Sequence, residues 1–463
     1  MLKKLLFFVF LLVPLTMAAE DNDTVKFKLF DAVTFYDGYL YSKNPDSLVN
    51  DGVLRHSTSL YAVPLNDSVL NNIGDSVWLK VYVQACCDNY DRIGNINLAF
   101  VPKGSTTYIA DSVSRIELGR FITPFMDKNK KPDTVPYAYR VDYLSQILRD
   151  DSIRSKYDLW MEFELFGVPY AANQEITGCA GRSDVFKGTL ILETSKPARP
   201  LIGTDVLIPI AMKHLADRQN NLNNYNVNAT DTIGKTTKTW TFTVPRNVTD
   251  AQFVVVTSNH GANNGGEEYN RRWHYIYYDG DLVLSYRPGR KSCEPFRQYN
   301  TQANGIYGRG KRSDWVWQSF SNWCPGDVID NRIISLGAVS AGTHTIRISV
   351  PDAQFVGKQG DIPVSIFFQG LTEGSLPTGI TPLRADGTPV PSKPEVDMKV
   401  SGSHITLTST HKIYDVSVYD VNGKRLHSQE GTQPIDISSL PHGVYLINAE
   451  MDNGFVEVHK ILK

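Results

Sequence analysis

Val77-Trp78-Leu79-Lys80-Val81-Tyr82-Val83 is a short run of β-branched and aromatic residues, the composition that suits a pleated, half-buried surface. Phe253-Val254-Val255-Val256, Thr345-Ile346-Arg347-Ile348-Ser349-Val350 and Ser365-Ile366-Phe367-Phe368 are runs of the same kind, and Gly, Asn, Asp and Pro clusters separate them. Helical periodicity is scarce. One short candidate is Val141-Asp142-Tyr143-Leu144-Ser145-Gln146-Ile147-Leu148, with apolar residues on one face. Many short strands without intervening helices predict an all-β chain built of antiparallel sandwiches or jelly rolls.

Working outward, two breaks divide the chain. Two prolines interrupt the strand pattern in Ser195-Lys196-Pro197-Ala198-Arg199-Pro200. Further on, Pro377, Pro382, Pro389, Pro391 and Pro394, with Gly and Thr between them, make a semi-extended linker. The expected division is a signal peptide at 1–19, domains at 20–196 and 197–373, a Pro-rich linker at 374–397 and a small domain at 398–463. Lys3-Lys4, the apolar stretch from Leu5 to Leu15 and the small-residue exit Thr16-Met17-Ala18-Ala19 read as a cleaved secretory signal. That stretch is too short to span a bilayer, and no later one is apolar enough. The expectation is an exported protein, secreted or at the cell surface, where disulfides persist.

In the tail, Ile413-Tyr414-Asp415-Val416-Ser417-Val418-Tyr419-Asp420 leads into Asn422-Gly423, a tight-hairpin signal. Gly443-Val444-Tyr445-Leu446-Ile447 then turns at Asp452-Asn453-Gly454 and ends in Lys460-Ile461-Leu462-Lys463. This pattern resembles the C-terminal sorting domain of the type IX secretion system of Bacteroidetes. The resemblance implies a small third β-sandwich and the type IX machinery as a partner.

Composition excludes some functions. With 47 Lys and Arg against 49 Asp and Glu, the net charge of -2 gives no electrostatic reason to expect nucleic acid or an anionic membrane. The 5 cysteines form no CxxC pair and the 10 histidines no HxH set, so a metal site is not expected. An odd cysteine count leaves at least one thiol unpaired or paired outside the chain. There is no GxSxG elbow, no HExxH and no phosphate-cradling glycine loop. A catalytic cysteine suits an exported protein poorly, because its thiol tends to be oxidised.

Three carboxylate-bearing segments remain. Cys86-Cys87-Asp88-Asn89-Tyr90-Asp91-Arg92 follows the Val77–Val83 strand directly. In Leu159-Trp160-Met161-Glu162-Phe163-Glu164-Leu165-Phe166, period-two alternation sets Glu162 and Glu164 on one face. Gly265-Gly266-Glu267-Glu268-Tyr269-Asn270 follows Asn259-His260-Gly261.

Gly119-Arg120-Phe121-Ile122-Thr123-Pro124, Cys87-Asp88-Asn89-Tyr90-Asp91-Arg92 and Asn322-Trp323-Cys324-Pro325-Gly326 together resemble, in order and spacing, three motifs of the peptide-N-glycosidase F family. The similarity runs from about Val25 to Phe368. It implies two adjacent antiparallel jelly-roll β-sandwich domains with the substrate cleft at their interface, and an amidase without cofactor. The enzyme would release N-linked glycans from glycoproteins or glycopeptides and leave aspartate behind; a monomer is expected.

Carried over residue by residue, the resemblance puts the family's primary catalytic aspartate on Asp91 and its other acids on Glu164 and Glu268, with Glu267 adjacent to the last. Arg92 becomes a glycan contact, although an ion pair to Asp88 or Asp91 is the alternative. Ile122 and Trp323 would form an apolar wall under the first sugar, unless Trp323 packs on a disulfide instead. The family's histidine falls on His260, which suits structural hydrogen bonding better than the role of a base. Cys293 and Cys324 fit the family's second-domain disulfide, while one of Cys86 and Cys87 is left to bridge Cys179. Phe320 stands where the family has an arginine near the third motif, with Arg312 as a substitute.

In the chemistry so implied, Asp91 activates water or the carboxamide, and Glu164 and Glu268 orient water and stabilise charge. The competing readings are a non-catalytic secreted glycan-binding or adhesive protein on the same double jelly roll, a copper monooxygenase of similar fold, and a glycoside hydrolase that would leave asparagine unchanged.

Overall fold

The computed structural model describes residues 24–40, 52–197, 204–211, 221–222, 232–262, 266–302, 305–358, 360–373, 396–409, 412–420, 425–451 and 456–463. The signal peptide at 1–19, most of the Pro-rich linker and the Asn422-Gly423 and Asp452-Asn453-Gly454 turns lie outside the described residues.

The first sandwich is built from β1 (Thr24–Tyr36), β2 (Leu54–Arg55), β3 (Leu60–Pro64), β4 (Val77–Ala85), β5 (Ile93–Pro102), β6 (Ser114–Ile122), β7 (Thr134–Arg140), β8 (Tyr157–Leu165) and β9 (Asp184–Ser195). The second uses β10 (Val206–Ala211), β11 (Thr237–Val244), β12 (Val248–Thr257), β13 (His274–Tyr278), β14 (Asp281–Tyr286), β15 (Val328–Ile329), β16 (Arg332–Val339), β17 (Gly342–Ser349) and β18 (Val364–Leu371). The tail contains β19 (Val396–Ser401), β20 (His404–Ser409), β21 (Ile413–Asp420), β22 (Arg425–Glu430), β23 (Ile435–Asp436), β24 (Val444–Met451) and β25 (Val456–Leu462).

Each unit is a pair of open sheets. The first packs the order β1-β9-β4-β7 against β15-β6-β5-β8-β3-β2, the second β10-β18-β12-β16 against β11-β17-β13-β14, and the tail β19-β20-β23 against β22-β21-β24-β25. β4 shows why these residues form a strand: Val77, Leu79, Val81, Val83 and Ala85 point into the first core while the residues between them are only partly covered. The single helical candidate is a helix from Tyr143 to Leu148. All six of its residues are buried, rather than one face alone, because it is wedged between the two sandwiches. There Gln369 of β18 donates to the Tyr143 carbonyl at 3.2 Å.

The two sandwiches share material. β15 belongs by sequence to the second half of the chain, yet it pairs with β6 of the first, Val328 opposite Phe121 and Ile329 opposite Arg120. Val254 and Phe367 of the second unit join the first hydrophobic core. β18 is buried along its whole length and β6 from Arg115 onward, which explains why both read as near-continuous runs without polar alternation.

Charge is buried at this seam as well. Arg120 makes a two-pronged ion pair with Glu117 at 2.8 and 2.7 Å, and reaches across to the Ser258 hydroxyl at 2.8 Å and the Pro363 carbonyl at 2.9 Å. The tail packs on the second sandwich through Trp273, Tyr275, Tyr277, Tyr419 and Leu446, with the Tyr275 and Tyr419 rings edge-to-face at 5.5 Å.

Candidate active site

Asp91 sits in the loop between β4 and β5, and that loop is fastened at every other residue. Cys87 is bonded to Cys179, which leaves Cys86 as the buried free thiol. Asp88 is fully buried and accepts from the backbone N–H groups of Tyr90 at 3.0 Å and Val168 at 2.7 Å. Asp88 also takes the Arg92 guanidinium at 2.6 and 3.3 Å. Asn89 donates to Glu175 at 2.7 Å. The Arg92 N–H donates to the Thr123 hydroxyl at 2.7 Å, and the Thr123 N–H to the Arg92 carbonyl at 2.8 Å. Of the two pairings foreseen for Arg92, the one with Asp88 forms, and the side chain keeps 23% of its surface open.

The motifs of the sequence meet here. Thr123 of Gly119–Pro124 clasps Arg92, while Ile122 exchanges backbone hydrogen bonds with Gly326 and Asp327 at 2.9 and 3.0 Å. The segments around residues 90, 122 and 324 therefore form one continuous hydrogen-bonded surface across the seam, although about 200 residues separate the last two.

Glu268 approaches from the connection between β12 and β13. Its Oε2 accepts the Gly261 N–H at 3.0 Å. Asn322 props this connection: its amide donates to the Glu267 carbonyl at 2.9 Å and to the Glu268 carbonyl. Gly266 is required, because a Cβ there would lie 1.8 Å from the Gly261 carbonyl oxygen. The adjacent glutamates differ in their partners. Glu267 is tied up by Arg272 at 2.8 and 3.1 Å and by the Gln354 N–H at 3.0 Å, whereas Glu268 faces Asp91.

Electrostatics single out Asp91. Burial pushes its carboxyl well above the usual range, and the charge of Glu268 adds to that push; Arg92 only partly offsets them. Its Oδ2 is buried without a hydrogen-bond partner. Glu268 is raised as well, by burial first, with the Gly261 N–H and the Tyr269 hydroxyl pulling it back.

Glu164 lies on β8 opposite Asn95 of β5 and Leu60 of β3, at the end of the sheet from which the Asp91 loop emerges. Its companion Glu162 is spent on structure. It is paired with the buried Arg115 at 2.8 Å from two nitrogens, and it accepts from Asn97 at 3.1 Å and from the Tyr108 phenol. Glu164, the other of the two, stands two residues further along β8, opposite Asn95.

Ile122 is completely enclosed and Trp323 nearly so; they pack against each other with Val256 and Ile329. Trp323 does not sit on the Cys293–Cys324 disulfide, which forms and is covered by Trp317 instead. The Trp323 indole donates to the Asn259 carbonyl at 2.9 Å. His260 Nε2 meets the Ser258 hydroxyl at 2.7 Å, and burial together with Arg120 drives its pKa down to about 3. Arg312 lies over Phe320, 5.7 Å from the ring centroid, and Phe320 stacks on Tyr269 at 5.1 Å, so both come to the edge of the site.

Tyr269, Asn322, Thr123 and Asp88 carry parts of this arrangement that sequence reasoning did not assign. Each stood inside or beside a quoted segment, but none has a residue type that signals its role. A groove of about 1230 Å³ lined by Lys103, Tyr108, Arg154, Asp158 and Trp160 opens at the far end of the six-stranded sheet and holds none of the three acids. No helix among the described residues is long and apolar enough to cross a membrane.

The chain is similar to known proteins over most of its length. The family model "Peptide-N-glycosidase F, N terminal" matches residues 28–180 and "Peptide-N-glycosidase F, C terminal" residues 224–369; "Secretion system C-terminal sorting domain" matches residues 389–463. Among solved structures, PNGF-II in its P21 form aligns with a TM-score of 0.55 at 18% identity, over 76% of this chain and 66% of that one. The chain thus spans just under two thirds of that relative's length. PNGase F from Flavobacterium meningosepticum, described as a glycosylasparaginase, aligns at 16% identity over 77% of this chain and 98% of that one, with a TM-score of 0.48. At 18% identity the PNGF-II match speaks for the fold alone. No curated protein matches the chain.

Proposed function

The chain belongs to the peptide-N-glycosidase F family and ends in a secretion-system sorting domain, and from that premise we propose that it is an exported amidase, released or held at the cell surface. Its substrate is the amide that joins an asparagine side chain to the innermost N-acetylglucosamine of an N-linked glycan. One observation carries the reading. Asp91 is a half-buried acid with a raised pKa and an enclosed, unpartnered oxygen, set against Glu268, whose carboxylate accepts the Gly261 N–H.

Such a pair supplies an acid and a base at neutral pH. Glu268 takes a proton from water, whose oxygen attacks the amide carbon. Asp91 lends its proton to the carboxamide, and the carbon–nitrogen bond breaks as the nitrogen is protonated. The products are an aspartate side chain and a glycosylamine, which then loses ammonia in water. The proton taken by Glu268 restores Asp91, so the cycle balances as one water consumed for one amide cleaved. Glu164 orients the water from the β8 side. Arg92, fixed by Asp88 and part-exposed, holds the first sugar. Trp323 and Ile122 back the site as a packed apolar wall.

Domain limits follow from the same reading: a glycanase body over 20–373 in two sandwiches and a sorting domain from 398. The test is to incubate the protein with a glycopeptide and weigh the peptide. Conversion of asparagine to aspartate supports the amidase. A peptide that keeps one N-acetylglucosamine points to a glycosidase, and uncleaved but bound glycopeptide to a binding protein.

A further inference from the structure

Two large aromatic side chains that face solvent stand together beside the site. Tyr39 keeps 60% of its surface open and Tyr170 56%, and their rings lie nearly parallel, with centroids 6.4 Å apart and planes inclined by 16°. Phe166, which follows the end of β8, meets Tyr39 edge-to-face at 5.3 Å. Rings in offset and edge-on contact of this kind hold one another in place. Gly38 makes room for the support, since a Cβ there would fall 2.3 Å from the Phe166 ring. The Gly38 N–H donates to the Gly167 carbonyl at 2.8 Å, and the Tyr39 N–H to the Asp37 carboxylate at 3.0 Å.

The segment that carries Phe166 and Tyr170 is laced to the Asp91 loop by three consecutive residues. Cys87 is bonded to Cys179, Asp88 accepts the Val168 N–H at 2.7 Å, and Asn89 donates to Glu175 at 2.7 Å. The Asp88 oxygen that takes Val168 is also the one that takes Arg92 Nε, at 2.6 Å. A single carboxylate atom therefore joins the guanidinium to the chain two residues before Tyr170. Along these contacts the order runs from Asp91 to Arg92, Asp88, Val168 and the tyrosine pair. The rings thus lie beyond Arg92, on the side away from Asp91.

Open apolar patches with a polar rim mark binding surfaces. Here Ser183 accepts the Asp37 N–H at 2.8 Å, and its neighbours Arg182 and Asp184 neutralise each other at 2.8 and 2.5 Å. Flat rings with hydroxyl tips suit a neutral sugar, which offers a face of C–H groups and an edge of hydroxyls. We infer that Tyr39 and Tyr170 form a subsite for a neutral sugar of the glycan beyond the innermost N-acetylglucosamine. The placement rests on the amidase reading, which puts the scissile amide at Asp91 and the first sugar at Arg92. The three ties to the Asp91 loop hold the subsite in position before the glycan arrives.

The test measures Kd for two glycopeptides of one peptide sequence, bearing either a single N-acetylglucosamine or a full neutral glycan. The full protein is used on an Asp91→Asn background, where neither is consumed. Tyr39→Ala with Tyr170→Ala weakens the full-glycan complex about tenfold and leaves the single-sugar complex unchanged. Tyr39→Phe with Tyr170→Phe, which keeps the rings, stays within about threefold of its parent. With Asp91 intact, the alanine pair raises KM on the full glycan about tenfold at unchanged kcat. Unchanged affinities overturn the inference. Equal weakening of both complexes also overturns it, because the peptide and not the glycan would then lie on the rings. Wild-type protein that binds the full glycan through both tyrosines but converts no asparagine to aspartate upholds the sugar subsite and overturns the amidase reading.

Discussion

Arg120 of the first sandwich donates to the Ser258 hydroxyl of the second at 2.8 Å, and the same hydroxyl meets His260 Nε2 at 2.7 Å. One guanidinium, itself held by Glu117, thus fixes the distance between the two halves at the site. Its loss leaves Glu117 charged and buried. Arg120→Met should therefore destabilise the protein by about 3–5 kcal/mol, whereas the double variant with Glu117→Gln should recover a large part of that. Denaturant unfolding of the three proteins measures it; equal losses for single and double variants would contradict the account.

Asp91→Asn removes the acid and keeps the shape. Turnover should fall by about 10²–10⁴-fold with the fold intact, as judged by circular dichroism and glycopeptide cleavage. Activity within a few-fold of wild type would move the primary role to another acid.

The same variant carries a stability signature. A carboxyl whose folded pKa is raised stabilises the protein fully only below its unfolded pKa, about 3.9, and that contribution is lost as pH rises towards the folded value. Asp91→Asn should therefore melt higher than wild type at neutral pH. The difference should shrink to nothing below about pH 4. Thermal melts at several pH values check the sign, and a variant that melts lower throughout would refute it.

Cys293 and Cys324 close a loop with a sequence separation of 31 that carries Asn322, the prop of Glu268. Replacing both with Ser should cost about 3–4 kcal/mol and lower activity as well as stability. Paired melting and turnover assays read both.

Cys86 is enclosed, and burial, with Asp184 beside it, pushes its thiol up to about 12. Iodoacetamide should leave it unmodified in the native protein and label it after unfolding, as intact mass would show.

The strand runs, the triad of motifs and the Cys293–Cys324 pair were legible because each is a local pattern or a resemblance carried by adjacent residues. The rest depended on distance in space. Nothing in Glu267-Glu268 says which glutamate Arg272 will capture, since that follows from where Gln354 and Arg272 lie after folding. Cys86 and Cys87 differ only in which way each points from the end of β4, where Cys87 turns toward Cys179. How Ile122 and Trp323 come together depends on β15 crossing to β6, a pairing between segments about 200 residues apart. Tyr269 was hidden for the opposite reason: it stood in plain view beside Glu268, but its partner Phe320 lies 51 positions away.

The tail's grip on Trp273, Tyr275 and Tyr277 has a practical corollary for anyone shortening the gene. A recombinant version that stops before Val396 sheds the residues covering this stripe and presents an oily face to its neighbours in the tube. Clumping of such a version during purification would then reflect a missing lid on the second sandwich, with both sandwiches still correctly folded. The sorting segment doubles as a built-in solubiliser for the journey it directs.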